Sequence, residues 1–139
     1  MSYKIVGKYI KKLNFNIPNP KTFFLLSKDI SNYKINIDIK SNQIKDDIVE
    51  VQISLSLKSN ITQDNIINTE IIYSAIIEIS EKNNSKEQIE KIILIDVPTE
   101  IYPELRKIFI FIFESSGFKE IKINEKVDFQ KLLNLRKTQ

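Results

Sequence analysis

The stretch that most limits the fold of this 139-residue chain runs from Val97 to Gly117. Thr99 is a residue type that caps a helix by accepting first-turn N–H groups. Glu100 and Glu104 then place negative charge at the positive end of the helix dipole. Pro103 fits such a helix only within the first turn or so, where few backbone hydrogen bonds are lost. Ile101, Leu105, Ile108 and Ile112 share one face, with Tyr102, Phe109 and Phe113 beside them. Gly117 offers a left-handed stop. The continuous run from Ile108 to Phe113 also fits a buried strand. As a helix it is apolar nearly all round, so it must be sandwiched, most simply between this chain's own sheet and a second copy. Ile101, Leu105, Ile108, Phe109, Ile112 and Phe113 are accordingly the expected oligomer interface.

The chain before this stretch reads as strand. From Tyr3 to Ile17, Tyr3, Ile5, Tyr9, Leu13, Phe15 and Ile17 fall on odd positions, interrupted at Gly7 and Lys11, the pattern of one long strand with a buried face. Pro18-Asn19-Pro20 ends it, because a prolyl nitrogen cannot donate to a ladder. Phe23-Phe24-Leu25-Leu26 is too short for an independent helix and too apolar for an ordinary loop, and reads as a loop plug over the core. Tyr33, Ile35, Ile37 and Ile39 alternate with polar residues as a second strand, closed by a turn signal at Ser41-Asn42-Gln43. Asp46-Asp47 leads into a third strand carrying Val49, Val51, Ile53, Leu55 and Leu57. Adjacent strand residues point to opposite faces, so this Asp pair is a turn feature and not a catalytic dyad. Glu70 to Ile79 is a fourth strand; Ile72 and Ile76 make its second face apolar too, which predicts cover on both sides. Ser85 with Gln88 forms a capping-box pattern for a short helix through Ile93. Phe118 to Lys126 is a link, and Val127 to Leu135 a final amphipathic helix. Four antiparallel strands with helices on one sheet face make an α+β domain spanning residues 1–139.

Composition removes most chemistries. There is no cysteine and no histidine, which excludes disulfides, thiol chemistry, nearly all zinc or iron sites and imidazole acid–base catalysis. No Gly-rich phosphate loop or nucleophile elbow is present, so no enzyme, cofactor or metal is expected. The net charge is +3, yet of the 21 basic residues only Arg106 and Arg136 are arginines. A basic surface that is nearly all lysine, without interleaved aromatics, reads as solvation, not nucleic-acid binding. Nothing at Met-Ser-Tyr-Lys resembles a secretory leader, and no run approaches ~20 apolar residues. A cytoplasmic protein without membrane insertion is expected.

Pro98, Ile101-Tyr102-Pro103 and Arg106 resemble the P-x-x-[LI]-[FY]-P-x-x-R segment of the SecB family of bacterial export chaperones. Val127-Asp128-Phe129 with Leu132 is similar to its C-terminal V-[ND]-F-x-x-L signature. Tyr9, Phe15, Pro18 and Asn19-Pro20 match a Y-x-[KR]-x-[LI]-x-F-x-x-P-N segment. Glu70, Ile71, Ile76 and Ile79 match E-V-x-x-x-G-I-F-x-[IL], with Ala75 and Ile77 in place of the family's glycine and phenylalanine. The resemblance implies a homotetramer, a dimer of dimers with long helices between two sheets. It implies an ATP-independent holdase that binds unfolded precursor proteins in apolar grooves and hands them to the SecA motor ATPase. By position, Tyr33, Ile35 and Ile37 match groove-lining residues; Phe15, Phe23 and Phe24 are further candidates that read equally as core. Glu70 matches an acidic motor contact. Lys12 and Asn16 stand where the family carries acids, which weakens attraction to a basic partner. A SecB-like chaperone devoted to one partner such as an antitoxin, or a structural or interaction protein, are the alternative expectations.

Overall fold

The computed structural model describes residues 3–29, 34–58, 68–80, 82–118 and 121–137. Four strands, β1 (Tyr3–Asn16), β2 (Lys34–Lys45), β3 (Ile48–Lys58) and β4 (Asn68–Ile79), form one antiparallel sheet in the order β1-β4-β3-β2. Val49, Val51, Ile53, Leu55 and Leu57 of β3 and Ile71, Tyr73, Ala75, Ile77 and Ile79 of β4 turn to one face and are buried. The period-two pattern places them there.

The first strand departs from strict alternation. Its register against β4 shifts between Ile5 and Gly7 and again between Ile10 and Lys12. These two bulges fall at the interruptions at Gly7 and Lys11, and each reverses the side-chain parity. Tyr3 and Ile5 lie opposite Ile79 and Ile77, Lys8 and Ile10 opposite Ala75 and Tyr73, and Leu13 opposite Ile71, all on the core face. Tyr9 lies opposite Ser74, on the outer face, against the odd-position pattern.

Two turns also move. Ser41, Asn42 and Gln43 pair with Val51, Glu50 and Val49 inside the β2–β3 ladder. The hairpin turn is Asp46-Asp47, with Asp47 left-handed at φ 61°, a conformation Asp tolerates better than most residues. Phe23 to Leu26 lie in a helix, α1 (Pro20–Asp29), not a loop plug. Asn19 Oδ1 accepts the Thr22 N–H at 2.8 Å, and the proline after it occupies the first helical position.

The helical layer starts at the predicted capping box. Ser85 Oγ accepts the Gln88 N–H at 3.2 Å and Gln88 Oε1 accepts the Ser85 N–H at 2.8 Å. From there α2 (Lys86–Lys91), a π turn (Ile92–Asp96) and α3 (Val97–Ser115) run on as one continuous helix. Thr99 is therefore not a cap: its hydroxyl donates to the Ile95 carbonyl at 2.6 Å, inside the helix. Pro103 lies in the helix interior, not the first turn. The π turn explains how Pro98 is admitted. In a regular helix its ring would press on the Leu94 carbonyl, whose hydrogen bond it cannot supply; here the turn just before it is wider, with the Val97 N–H bonded to the Ile92 carbonyl.

The Ile108–Phe113 run is helical, and α3 ends as expected. Gly117 is left-handed at φ 101°. The Phe118 N–H donates to the Phe113 carbonyl at 3.0 Å and the Gly117 N–H to Glu114 at 3.1 Å, a Schellman closure. Residues 121–128 carry no helix or strand. The last helix, α4 (Phe129–Lys137), starts two residues later than expected because Asp128 Oδ1 accepts the Lys131 N–H at 3.0 Å.

Gly117→Ala should destabilise the protein by about 1–2 kcal/mol, because Ala resists positive φ and its Cβ would sit 3.2 Å from the Phe23 ring. Urea unfolding with an unchanged slope is the measurement.

Candidate functional site

At the β2 side of the sheet, the core-facing side chains Ile35 and Ile37 stand across a groove from Tyr102, Lys122, Ile123, Asn124 and Val127. Strand order leaves the outer edge of β2 unpaired by any other strand of this sheet. Ile35 and Ile37 are half-buried, so the groove is lined mainly by side chains the core has not fully enclosed. Its volume is about 200 Å³, below the ~300–1,000 Å³ of sites that enclose drug-sized ligands. It suits one or two side chains of an extended polypeptide.

The expected client residues divide. Ile35 and Ile37 line the groove, and Tyr33 lies outside the described residues. Phe15 packs edge-on to Phe113 at 5.1 Å, and Phe23 lies against Phe118 at 4.9 Å, so both are parts of an aromatic cluster at the end of β1. Phe24 is 66% exposed and meets Phe23 edge-on. Sequence reasoning misses the second wall: it assigns Ile123 to a link, Val127 to the last helix and a family signature, and Tyr102 to the flank of the apolar helix and a family segment, none of them to a groove.

The expected interface residues divide as well. Ile101, Leu105, Phe109 and Phe113 are wholly buried against this chain's own sheet, which corrects their assignment to contacts between copies. Ile108 and Ile112 are half-buried, and Phe111, not among the expected residues, is 66% exposed.

The outer sheet face carries the charged chemistry. Glu50 is only 4% exposed. Its carboxylate accepts from the Tyr9 hydroxyl, from Ser74 Oγ at 2.7 Å, and from Lys11 Nζ and Gln52 Nε2 at 3.0 Å each. These donors, Tyr9 and Ser74 foremost, outweigh burial and hold its pKa at about 2 rather than 4.5. Glu70 is paired with Lys12 at 2.8 Å. On the helix side, Glu104 accepts from Lys8 at 2.6 Å and from Tyr73 at 2.7 Å. Its pKa is lowered, chiefly by Lys8, while burial and then Glu104 push Tyr73 to about 12. Among the described residues no group of three or more acidic side chains could hold a metal ion. No described helix is long and apolar enough to cross a membrane.

The family model for preprotein translocase subunit SecB matches residues 1–139. The chain belongs to the SecB family. It is 38% identical over 135 residues to the "Putative protein-export protein SecB" of Pelagibacter ubique (strain HTCC1062), covering 97% of this chain and 96% of that protein. Its fold is similar to that of the Mycobacterium tuberculosis Rv1957 SecB-like chaperone, solved with a ChAD peptide from the Rv1956 HigA1 antitoxin. That match has a TM-score of 0.62 at 10% identity and covers 88% of this chain and 90% of the other. Both the α+β fold and membership of a chaperone family agree with the sequence reading.

The Glu50 network sets an acid limb of stability. Its folded pKa lies below the unfolded value, so its contribution is present above about pH 4.5 and is lost as pH falls towards 2. Glu50→Gln should lower the Tm at neutral pH and reduce the further loss across that window, read by circular dichroism melts.

Proposed function

We propose that this SecB-family chain is an ATP-independent holdase. It binds unfolded precursor proteins through the Ile35–Ile37 groove, keeps them competent for translocation and delivers them to the SecA motor in the cytoplasm. The observation that carries this is an open groove with Ile35 and Ile37 on one wall and Ile123 and Val127 on the other, sized for side chains, in a chain of a chaperone family. Many weak apolar contacts suit clients of varied sequence and call for no nucleotide or covalent step.

Residues 1–139 act as one SecB-like domain that assembles as a dimer of dimers. Phe111, with Ile108 and Ile112 beside it, supplies an apolar surface for that assembly. An exposed aromatic on a helix whose opposite side is already buried gains most from a second copy. Handover to SecA would use the outer sheet face with Glu70 as an acidic contact. Lys12 pairs with that carboxylate, and this favours a second reading, a SecB-like chaperone dedicated to one partner such as an antitoxin. A pull-down dominated by exported precursors supports the first reading, and one dominated by a single partner supports the second.

Light scattering with an unfolded precursor tests the central reading: aggregation should be suppressed without ATP, and failure to suppress it sinks the proposal. Ile37→Ser should weaken client binding about tenfold or more, because burying an Ile contributes roughly 1.5–3 kcal/mol. Fluorescence titration measures it, with far-ultraviolet dichroism unchanged. Phe111→Glu should lower the assembly mass from four copies of the 16.3 kDa chain, read by light scattering after size exclusion.

A further inference from the structure

Residues 121–127 supply most of one groove wall, through Lys122, Ile123, Asn124 and Val127. They have no helix or strand of their own, so side-chain anchors must define where the wall stands. Two such anchors come from α3. The Tyr102 hydroxyl donates to the Asn124 carbonyl at 2.6 Å, and Arg106 Nε donates to the Ile123 carbonyl at 3.3 Å.

The geometry is economical. Tyr102 and Arg106 are one helical turn apart and share a helix face, and they take carbonyls of consecutive residues. Tyr102 is almost wholly buried, its ring 6.0 Å from Phe129 and nearly perpendicular to it. Its hydroxyl therefore has a fixed position from which to hold the wall. Burial raises its pKa, which keeps it a proton donor. A buried hydroxyl is a costly group to leave unpaired, so the two bonds hold this stretch together with the packing of Ile121 and Ile123 on the core.

We infer that Tyr102 and Arg106 are positioning residues that fix the 121–127 wall, and thereby set the width of the groove open to client side chains. This rests on the reading of the groove as the client site.

The test uses the full chain, with Tyr102→Phe and Arg106→Gln as variants. Amide exchange across 121–127 should rise about tenfold in each variant, the order expected for one lost hydrogen bond. Exchange in β3 and β4 should stay unchanged, which a merely structural loss would not allow. Affinity for reduced, carboxymethylated α-lactalbumin, a permanently unfolded probe, should fall at least about threefold, through faster dissociation. Should Arg106→Gln fail to fold, Tyr102→Phe carries the test, since it removes one oxygen and keeps the ring. Unchanged exchange at 121–127, or faster exchange with unaltered affinity, overturns the inference while leaving the groove reading intact. A wild-type protein that does not bind the probe overturns the groove reading, and with it the inference.

Discussion

The apolar row Ile101, Leu105, Phe109 and Phe113, pressed on β3 and β4, fixes the angular setting of α3, and the remaining helix faces follow from it. Each helical residue turns by about 100°. The positions just before the row, Glu100 and Glu104, therefore swing to one side and meet Tyr3, Lys8 and Tyr73. The positions just after it, Tyr102 and Arg106, swing to the other side and hold the groove wall. The positions opposite, Thr99, Pro103, Lys107 and Phe111, are all exposed. One packing row thus sets a sheet-facing side, an edge-clamping side, a groove side and an open side. A slip of one residue would take the wall anchors away from their carbonyls.

The π turn extends this phase upstream. Ile92 and Val97 are both buried, five residues apart. In a regular α-helix that spacing would put them well off a common line, since i and i+4 are the neighbours on one face. The i→i+5 hydrogen bond restores the alignment, so Ile92 joins the same core as Ile101. The prolines then make sense together. Pro98 directly follows the widened turn, and Pro103 lies on the exposed side, where a lost hydrogen bond leaves a carbonyl that water can reach.

Alternation made the sheet legible in advance: every core position of β3 and β4 follows from period two. What alternation could not show was parity reversal, because a bulge is a property of the pairing and not of one strand. Hence the odd-position pattern puts Tyr9 on the wrong face, although the interruptions at Gly7 and Lys11 mark both bulges. The Asn19-Pro20 helix start is hidden because prolines after a strand serve equally well to end it. Thr99 reads as a cap because nothing local distinguishes a capping threonine from one that bonds back to the fourth carbonyl before it. In the groove, Ile35 and Ile37 were legible as a strand face, together with a family resemblance. The opposite wall was not, since residues 121–127 take their position from tertiary bonds to Tyr102 and Arg106.

The bulge at Lys11 has an electrostatic consequence. Neighbouring strand residues normally point to opposite faces, but here Lys11 and Lys12 both reach the outer face, where they pair with Glu50 and Glu70. Two of the acids on that face are thereby neutralised by cations from the edge strand. Glu50 is a buried carboxylate held by four donors, and the ammonium of Lys11 among them offsets its charge. Glu70 is more open, but its partner is 2.8 Å away, far inside the roughly 8–10 Å over which salt screens charges. A partner approaching from a distance meets little net field from these pairs. The face therefore offers short-range contacts at Glu70, Gln52 and Ser54 more than attraction at long range.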